Sequence, residues 1–351
     1  MKKKVLTVFD DPGGGLAVTA AAEELRKNTE TELTVYSGKL SKEIAEGAGF
    51  KYKEIESMIS KETAEEIFRD TTPDLLLTGT GGGNAEQQFR NLAYRENTPS
   101  VVILDYWKDY KRRWLYSDHE TGKIKDNICV MDDYTKQEMT EEGFPENKIY
   151  VTGHPYLDKI FNKGRKEFNQ NAGDNLNILF LSQPLEIIGI KNYDIHPLKV
   201  LSESISEYSE NSGRKVSLTV RLHPSENISG EISEVLNNHG NENYDIRLSE
   251  SGDRMSGLLS ESDIVFGYNS IALFEARAEN IKTFSLNLFP IKDSLRNAFE
   301  TAGIKPTEAS KTEIINALNS GSVLMPEGNV FGGGINNCLN VITDCLYLSR
   351  H

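Results

Sequence analysis

The stretch KVLTVFDDPGGGLAVTAAAEELRK, residues 4–27, decides the fold. Lys4 to Phe9 is a short apolar run rich in β-formers, Asp10-Asp11-Pro12-Gly13-Gly14-Gly15 interrupts it, and the alanine-rich segment that follows has helical apolar spacing. That is strand, glycine turn, helix. The same unit recurs outward from it: Glu32 to Tyr36 before a helix at Ser41 to Ala48, then Asp74 to Leu77 before TGTGGGNAEQQFRNLAYR. Further strands are expected at Val101 to Leu104, Asn127 to Met131 and Lys148 to Thr152. Strands alternating with helices imply right-handed crossovers and a parallel sheet covered on both faces.

At residues 161–174 the composition turns polar and loses its β-branched residues, as an inter-domain linker does. A second alternating series follows, with strands at Ile178 to Leu181, Val216 to Arg221, Tyr244 to Arg247, Ile264 to Phe266 and Thr283 to Leu286. Helices fit at Pro197 to Tyr208, Ser229 to Asn237, Asp253 to Ser260, Ile271 to Ala278 and Lys311 to Leu318. The expected class is α/β with two Rossmann-like parallel-sheet domains, 1–160 and 175–330. A chain of 351 residues is long enough for two cores.

Composition excludes several function classes. With 39 Lys plus Arg against 53 Asp plus Glu the formal charge is −14, which argues against a sequence-independent grip on nucleic acid phosphates. The sequence has no run of about 18 apolar residues that could span a bilayer, and Asp10, Asp11 and the glycines cut short what could resemble a secretory leader. Three scattered cysteines, Cys129, Cys338 and Cys345, make neither a disulfide framework nor a zinc site, so a reducing cytoplasm is the expected home. No carboxylate spacing, Asp109 and Asp132-Asp133 included, matches an EF-hand or a two-metal centre, and no tightly held metal or other cofactor is expected.

Four places could carry chemistry. Asp10 and Asp11 lie at the carboxyl end of the first strand, where open α/β sheets place ligands, and are the candidate catalytic bases; Gly13, Gly14 and Gly15 would let backbone N–H groups approach a sugar or phosphate. The bland alternative is a tight turn with Asp11 as a helix cap. Thr78 to Asn84 forms a second glycine turn, with Gly81, Gly82 and Asn84 as candidate sugar or acceptor contacts. Close helix–strand packing explains it equally well.

In the second half, VSLTVRLHPSEN puts Arg221, His223, Pro224 and Ser225 at a strand end, where a histidine can donate to a phosphate oxygen. Then SDIVFGYNS runs into the helix Ile271 to Ala278, so that Asn269 and Ser270 stand at a helix N-terminus, an anion site, with Glu275 about one and a half turns on. His154, beside the linker, suits a hinge or cleft wall better than a catalyst. The segment DYWKDYKRRWLYSDHETGKIK, 105–125, mixes aromatics with Lys and Arg and is too polar for a core strand; it reads as a surface loop or as an acceptor- or membrane-facing lip.

These motifs resemble the GT-B glycosyltransferase fold over nearly the whole chain. The first glycine turn, PDLLLTGTGGG and VTGHPYLD are similar to lipid-A-disaccharide synthase and the peptidoglycan N-acetylglucosaminyltransferase. VRLHP with SDIVFGYNSIALFEA is similar to CDP-glycerol glycerophosphotransferases and to bacterial sialyl-, polysialyl- and capsule transferases. The resemblance implies two domains facing across a cleft, a C-terminal helix (335–351) crossing back to the first domain, and a nucleotide-sugar donor, UDP- or CMP-linked, in the second. His223 and Pro224 would contact its phosphate, Ser270 would bind phosphate and Glu275 the ribose, while Asp10 or Asp11 would deprotonate a glycan or glycolipid acceptor. Leu181 to Glu186 departs from the family pattern where relatives carry a glycine-rich turn or a basic residue, and Tyr268-Asn269-Ser270 replaces paired serines.

The implied activity is a metal-independent inverting transfer, in the cytoplasm or at the inner face of the membrane, with helix dipoles and hydrogen bonds neutralising the leaving phosphate. Two rivals share the architecture: a sugar-nucleotide epimerase of the UDP-N-acetylglucosamine 2-epimerase type, and a sugar-nucleotide-binding protein without turnover.

Overall fold

A computed structural model describes residues 2–163, 175–185, 196–223, 226–237, 241–250, 252–287, 291–321 and 329–347. The chain divides into two compact units, Met1–Lys163 with Asn329–His351, and Gly164–Gly328. Each has its own parallel sheet. Of the expected linker, residues 164–174 lie outside the described residues.

In the first unit the strands are β1 (Lys3–Phe9), β2 (Thr31–Gly38), β3 (Tyr52–Ile55), β4 (Leu75–Thr78), β5 (Ser100–Ile103), β6 (Asn127–Val130) and β7 (Ile149–Val151). The helices between them are α1 (Pro12–Leu25), α2 (Lys42–Gly47), α3 (Lys61–Thr71), α4 (Ala85–Arg95) and α5 (Asp133–Glu141), with α6 (Pro155–Phe161) after β7. The sheet order is β3-β2-β1-β4-β5-β6-β7. Chain order therefore reverses between β1 and β4, and the crevice outside their carboxyl ends is where such sheets take ligands.

α1 starts where the sequence provides both signals: Asp11 accepts the Gly14 N–H at 2.7 Å as N-cap, and Pro12 opens the first turn. Its small residues Ala17, Ala20, Ala21 and Ala22 are fully buried, which lets the helix sit close against the sheet. β3 was not expected. Its residues Tyr52, Lys53 and Glu54 are half-buried or exposed, so an edge strand carries little hydrophobic signal.

The second unit contains β8 (Asn175–Leu181), α7 (Pro197–Ser212), β9 (Lys215–Arg221), α8 (Gly230–Asn237), β10 (Tyr244–Leu248), α9 (Met255–Ser260) and β11 (Ile264–Gly267). It continues through α10 (Ile271–Ala278), β12 (Lys282–Asn287), α11 (Asp293–Ala302), β13 (Lys305–Glu308) and α12 (Lys311–Asn319), in the order β10-β9-β8-β11-β12-β13. The reversal lies between β8 and β11. Leu176, Ile178, Phe180, Val216, Leu218, Val220 and Ile246 form one core with α7, α8 and α12.

The opposite face corrects the expectation of a sheet covered throughout. β9 and β10 alternate buried and more exposed residues, so Ser217, Thr219, Asp245 and Arg247 line a polar trough there.

α13 (Gly334–Tyr347) belongs to the first unit. Cys338, Ile342 and Leu346 enter the core that contains Val5, Ala17, Leu75, Val101 and Cys129. Gly334 makes the close approach possible: a Cβ there would lie 2.9 Å from the His154 carbonyl. Among the described residues no helix is long and apolar enough to cross a membrane.

Candidate functional site

The loops after β1, β4 and β5 meet at the carboxyl edge of the first sheet. Asp10 is buried, with its backbone N–H donated to Glu86 Oε1 at 3.0 Å and its Oδ1 accepting from Ser57 Oγ at 2.6 Å. Glu86, in the first turn of α4, also accepts the Gly81 N–H through Oε2 at 2.5 Å. One carboxyl group thus joins both glycine turns. Burial, with the charge of Asp11 next in weight, pushes the Glu86 carboxyl up to about 8, so it is mainly neutral at pH 7.

Asp11 is the more available of the two expected bases. It is only partly buried, and although it caps α1, desolvation followed by the charge of Asp105 raises its carboxyl from 3.8 to about 6. A carboxylate poised there accepts a proton readily near neutral pH. Asp10 is instead held under the turn by Ser57 and by Ser41, whose Oγ donates to the Asp10 carbonyl at 2.7 Å.

Sequence reasoning missed the partners from the third loop. Asp105 Oδ1 accepts from Arg113 Nη1 at 2.6 Å and from Thr80 Oγ1 at 3.0 Å. Burial disfavours the Arg113 charge, but Asp105 and Asp11 outweigh it and hold the guanidinium protonated. Arg90 donates to Gly79 O at 3.0 Å and to Arg113 O at 3.0 Å, and so braces two of the loops from beneath. His154 Nε2 donates to Asp105 O at 3.0 Å while Nδ1 accepts from Leu157 N; burial lowers its proton affinity and keeps the ring neutral. His154 supports the site through Asp105.

The surface-loop reading of 105–125 is corrected at its start. Asp105, Tyr106, Trp107, Tyr110 and Trp114 are buried. Trp107 Nε1 donates to Asp132 at 2.7 Å and Tyr110 OH to Glu138 at 2.7 Å, so buried polar tips have carboxylate partners and the segment is affordable as core. The alternation of rings and charges in DYWKDYKRRW was the available signal.

The expected sugar contacts divide. A Cβ at Gly13 would come within 2.4 Å of Asp105 Oδ2, so the glycine makes room for that carboxylate. Gly14 and Gly15 are buried at the start of α1, with Gly14 against the Gly79 turn. Gly81 donates to Glu86, Asn84 exchanges hydrogen bonds with the Ile59 backbone at 2.8 and 3.1 Å, and Gly82 borders open space.

In the second unit the loops after β8, β9 and β11 lie side by side. Ser270 caps α10, accepting from Ala272 N at 3.2 Å, and Asn269 N donates to Gln183 Oε1 at 3.0 Å. Glu226 ties two loops together, accepting from Ser182 Oγ at 2.8 Å and from His223 N at 3.1 Å. His223 is exposed, and partial burial of its ring lowers its proton affinity. Arg221 turns to Ser249 Oγ at 3.3 Å and Glu250 O at 3.1 Å. Glu275 is half-buried in the second turn of α10. Pro224 and Ser225 lie outside the described residues. Ser182, Gln183 and Glu226 were not foreseen as site residues. Among the described residues, no cluster of three or more His, Cys, Asp or Glu has the arrangement of a metal site.

No family model matches this sequence, and no curated protein matches it. Solved structures do match. A proposed UDP-N-acetylglucosamine 2-epimerase from Listeria monocytogenes superimposes with a TM-score of 0.73 at 18% identity, covering 100% of this chain and 98% of that one. The Neisseria meningitidis UDP-GlcNAc 2-epimerase bound to UDP-GlcNAc gives 0.70 at 17% identity, covering 98% and 99%. The glycotransferase of kitacinnamycin gives 0.62 at 11%, covering 99% and 100%. At such identities the likeness establishes the fold: two Rossmann-like parallel-sheet domains of the GT-B-like kind.

Proposed function

We propose that this chain is a nucleotide-sugar enzyme and that its reaction is epimerisation of the sugar at C2, on a UDP-linked N-acetylhexosamine, rather than transfer to an acceptor. The observation that carries this reading is Asp11: a carboxyl raised to about 6 beside the Asp105–Arg113 pair, at the strand reversal of the first sheet. The end-to-end fold likeness to UDP-GlcNAc 2-epimerases favours the epimerase over the transferase.

Inverting a C–H centre needs a base to take the proton and an acid to return it from the other face. Asp11 takes the C2 proton as the anomeric phosphate leaves with the C1–O electron pair. A proton then returns to the opposite face of C2 as the departed phosphate oxygen re-forms its bond to C1, while Asp105, kept in register by Arg113 and Thr80, lies beside Asp11 and tunes it. Within the second unit, the N-terminus of α10 at Ser270 is the candidate place for a nucleotide phosphate.

Incubation with UDP-GlcNAc in D2O without acceptor tests this. The expected outcome is the C2 epimer with deuterium at C2. Recovery of undeuterated UDP-GlcNAc, with UDP release only on adding a hydroxyl acceptor, would instead establish the transferase. That second reading uses the same base on an acceptor hydroxyl and draws on the glycotransferase likeness.

A further inference from the structure

Between Asp105 and Arg113 the loop reads Tyr106-Trp107-Lys108-Asp109-Tyr110-Lys111-Arg112. Its rings turn inward and its cations are left over. Trp107 and Tyr110 are locked by Asp132 and Glu138. Asp109 takes a left-handed φ of 58°, Arg113 N donates to Asp109 O at 3.2 Å and Arg113 Nε to Lys108 O at 3.0 Å, so the turn carrying Lys108 is closed on itself. The rigid frame fixes where its side chain starts.

Lys108 is half-buried, yet among the described residues its ammonium meets only the ring of Tyr106, 6.0 Å to the centroid, with no hydrogen bond or carboxylate within ion-pair distance. Desolvation, with the charges of Arg113 and Arg112 adding to it, lowers its proton affinity despite Asp109. Arg113 commits Nε and Nη1 to Lys108 O, Thr80 and Asp105; among the described residues no protein acceptor meets Nη2. Arg113 already has Asp105 as its counter-ion, but the Lys108 ammonium, half-removed from water beside it, has no carboxylate in ion-pair contact among the described residues and would be stabilised by an added anion. The loop follows β5, next to β4 at the strand reversal.

We propose that Lys108 and the outer amino group of Arg113 form an anion seat in the first unit that takes a phosphate group of the substrate. This rests on the nucleotide-sugar reading and adds a phosphate contact distinct from the α10 N-terminus. The phosphate could come from the nucleotide diphosphate or from an ester on the sugar, and the two sources are separable.

Calorimetric titration of the full chain with inorganic pyrophosphate and with a hexose 6-phosphate reads the seat without turnover. Wild type is expected to bind at least one of them, weakening as salt rises. Lys108→Met should weaken that binding about tenfold or more, as loss of a charge-assisted contact does, and Lys108→Arg should retain most of it. Tighter pyrophosphate binding points to the nucleotide, tighter hexose phosphate binding to the sugar. Lys108→Gln, checked for a wild-type melting curve, serves if the methionine variant fails to fold. Unchanged affinity in either neutral variant, or no binding of either anion by wild type, overturns the proposal. Deuterium exchange in wild type decides the epimerase reading separately.

Discussion

Replacing Asp11 by Asn should make the protein more stable and inactive at once. Folding carries the Asp11 carboxyl from 3.8 to about 6, a differential of about 3 kcal/mol between its charged and neutral forms. The sign follows from proton binding: between those two values the native state holds more protons than the unfolded chain, so stability falls as pH rises through the window and stays low above it. Asn is neutral and still offers an oxygen to Gly14 N, so the α1 cap survives. The expected gain is about 1–3 kcal/mol at pH 7.5, read as a melting temperature several degrees higher, shrinking towards zero near pH 4. Thermal denaturation of both proteins across that range is the assay, with C2 exchange measured alongside. A loss of stability at pH 7.5, or a gain independent of pH, would refute the reasoning, because then the carboxylate is not the strained species.

Other perturbations report on neighbouring contacts. Gly13→Ala puts a methyl within 2.4 Å of Asp105 Oδ2; since Arg113 and Thr80 pin that carboxylate, the variant should lose about 1–3 kcal/mol and its exchange activity, checked by denaturant titration and NMR. Glu86→Gln has one carbonyl oxygen for the two N–H groups of Asp10 and Gly81, leaving one of them facing an amide donor at a cost of about 1–3 kcal/mol. With Glu86 at about 8 in the folded state, wild-type stability should keep falling from pH 4.5 to pH 8, and that part of the slope should vanish in the Gln variant.

Much of the architecture was legible because its signals are local. The runs at Lys4–Phe9, Leu75–Leu77 and Ile264–Phe266 are central strands whose residues are mostly buried, so hydrophobicity alone marks them. β13 escaped because Lys305-Pro306-Thr307-Glu308 is an edge strand, where Pro and charges are tolerated. Ser270 as a cap and the Asp11 turn could be read from residue type and spacing. The links that make a site could not: Glu86 reaches Asp10 across 76 positions and His154 reaches Asp105 across 49. Such pairings depend on strand order. The chain segment at 105–114 misled for a related reason, since its rings are buried only because distant Asp126, Asp132 and Glu138 receive their polar ends.

α13 is made after the whole second unit yet packs into a core of the unit whose strands are made before it. A ribosome therefore releases the whole intervening unit, Gly164–Gly328, before the nascent first layer can seal, and until then the surface awaiting Cys338, Ile342 and Leu346 stays uncovered. Maturation of the Asp11 region would lag behind that of the later-synthesised half, since the surroundings of His154, on which Gly334 rests, are completed only by α13.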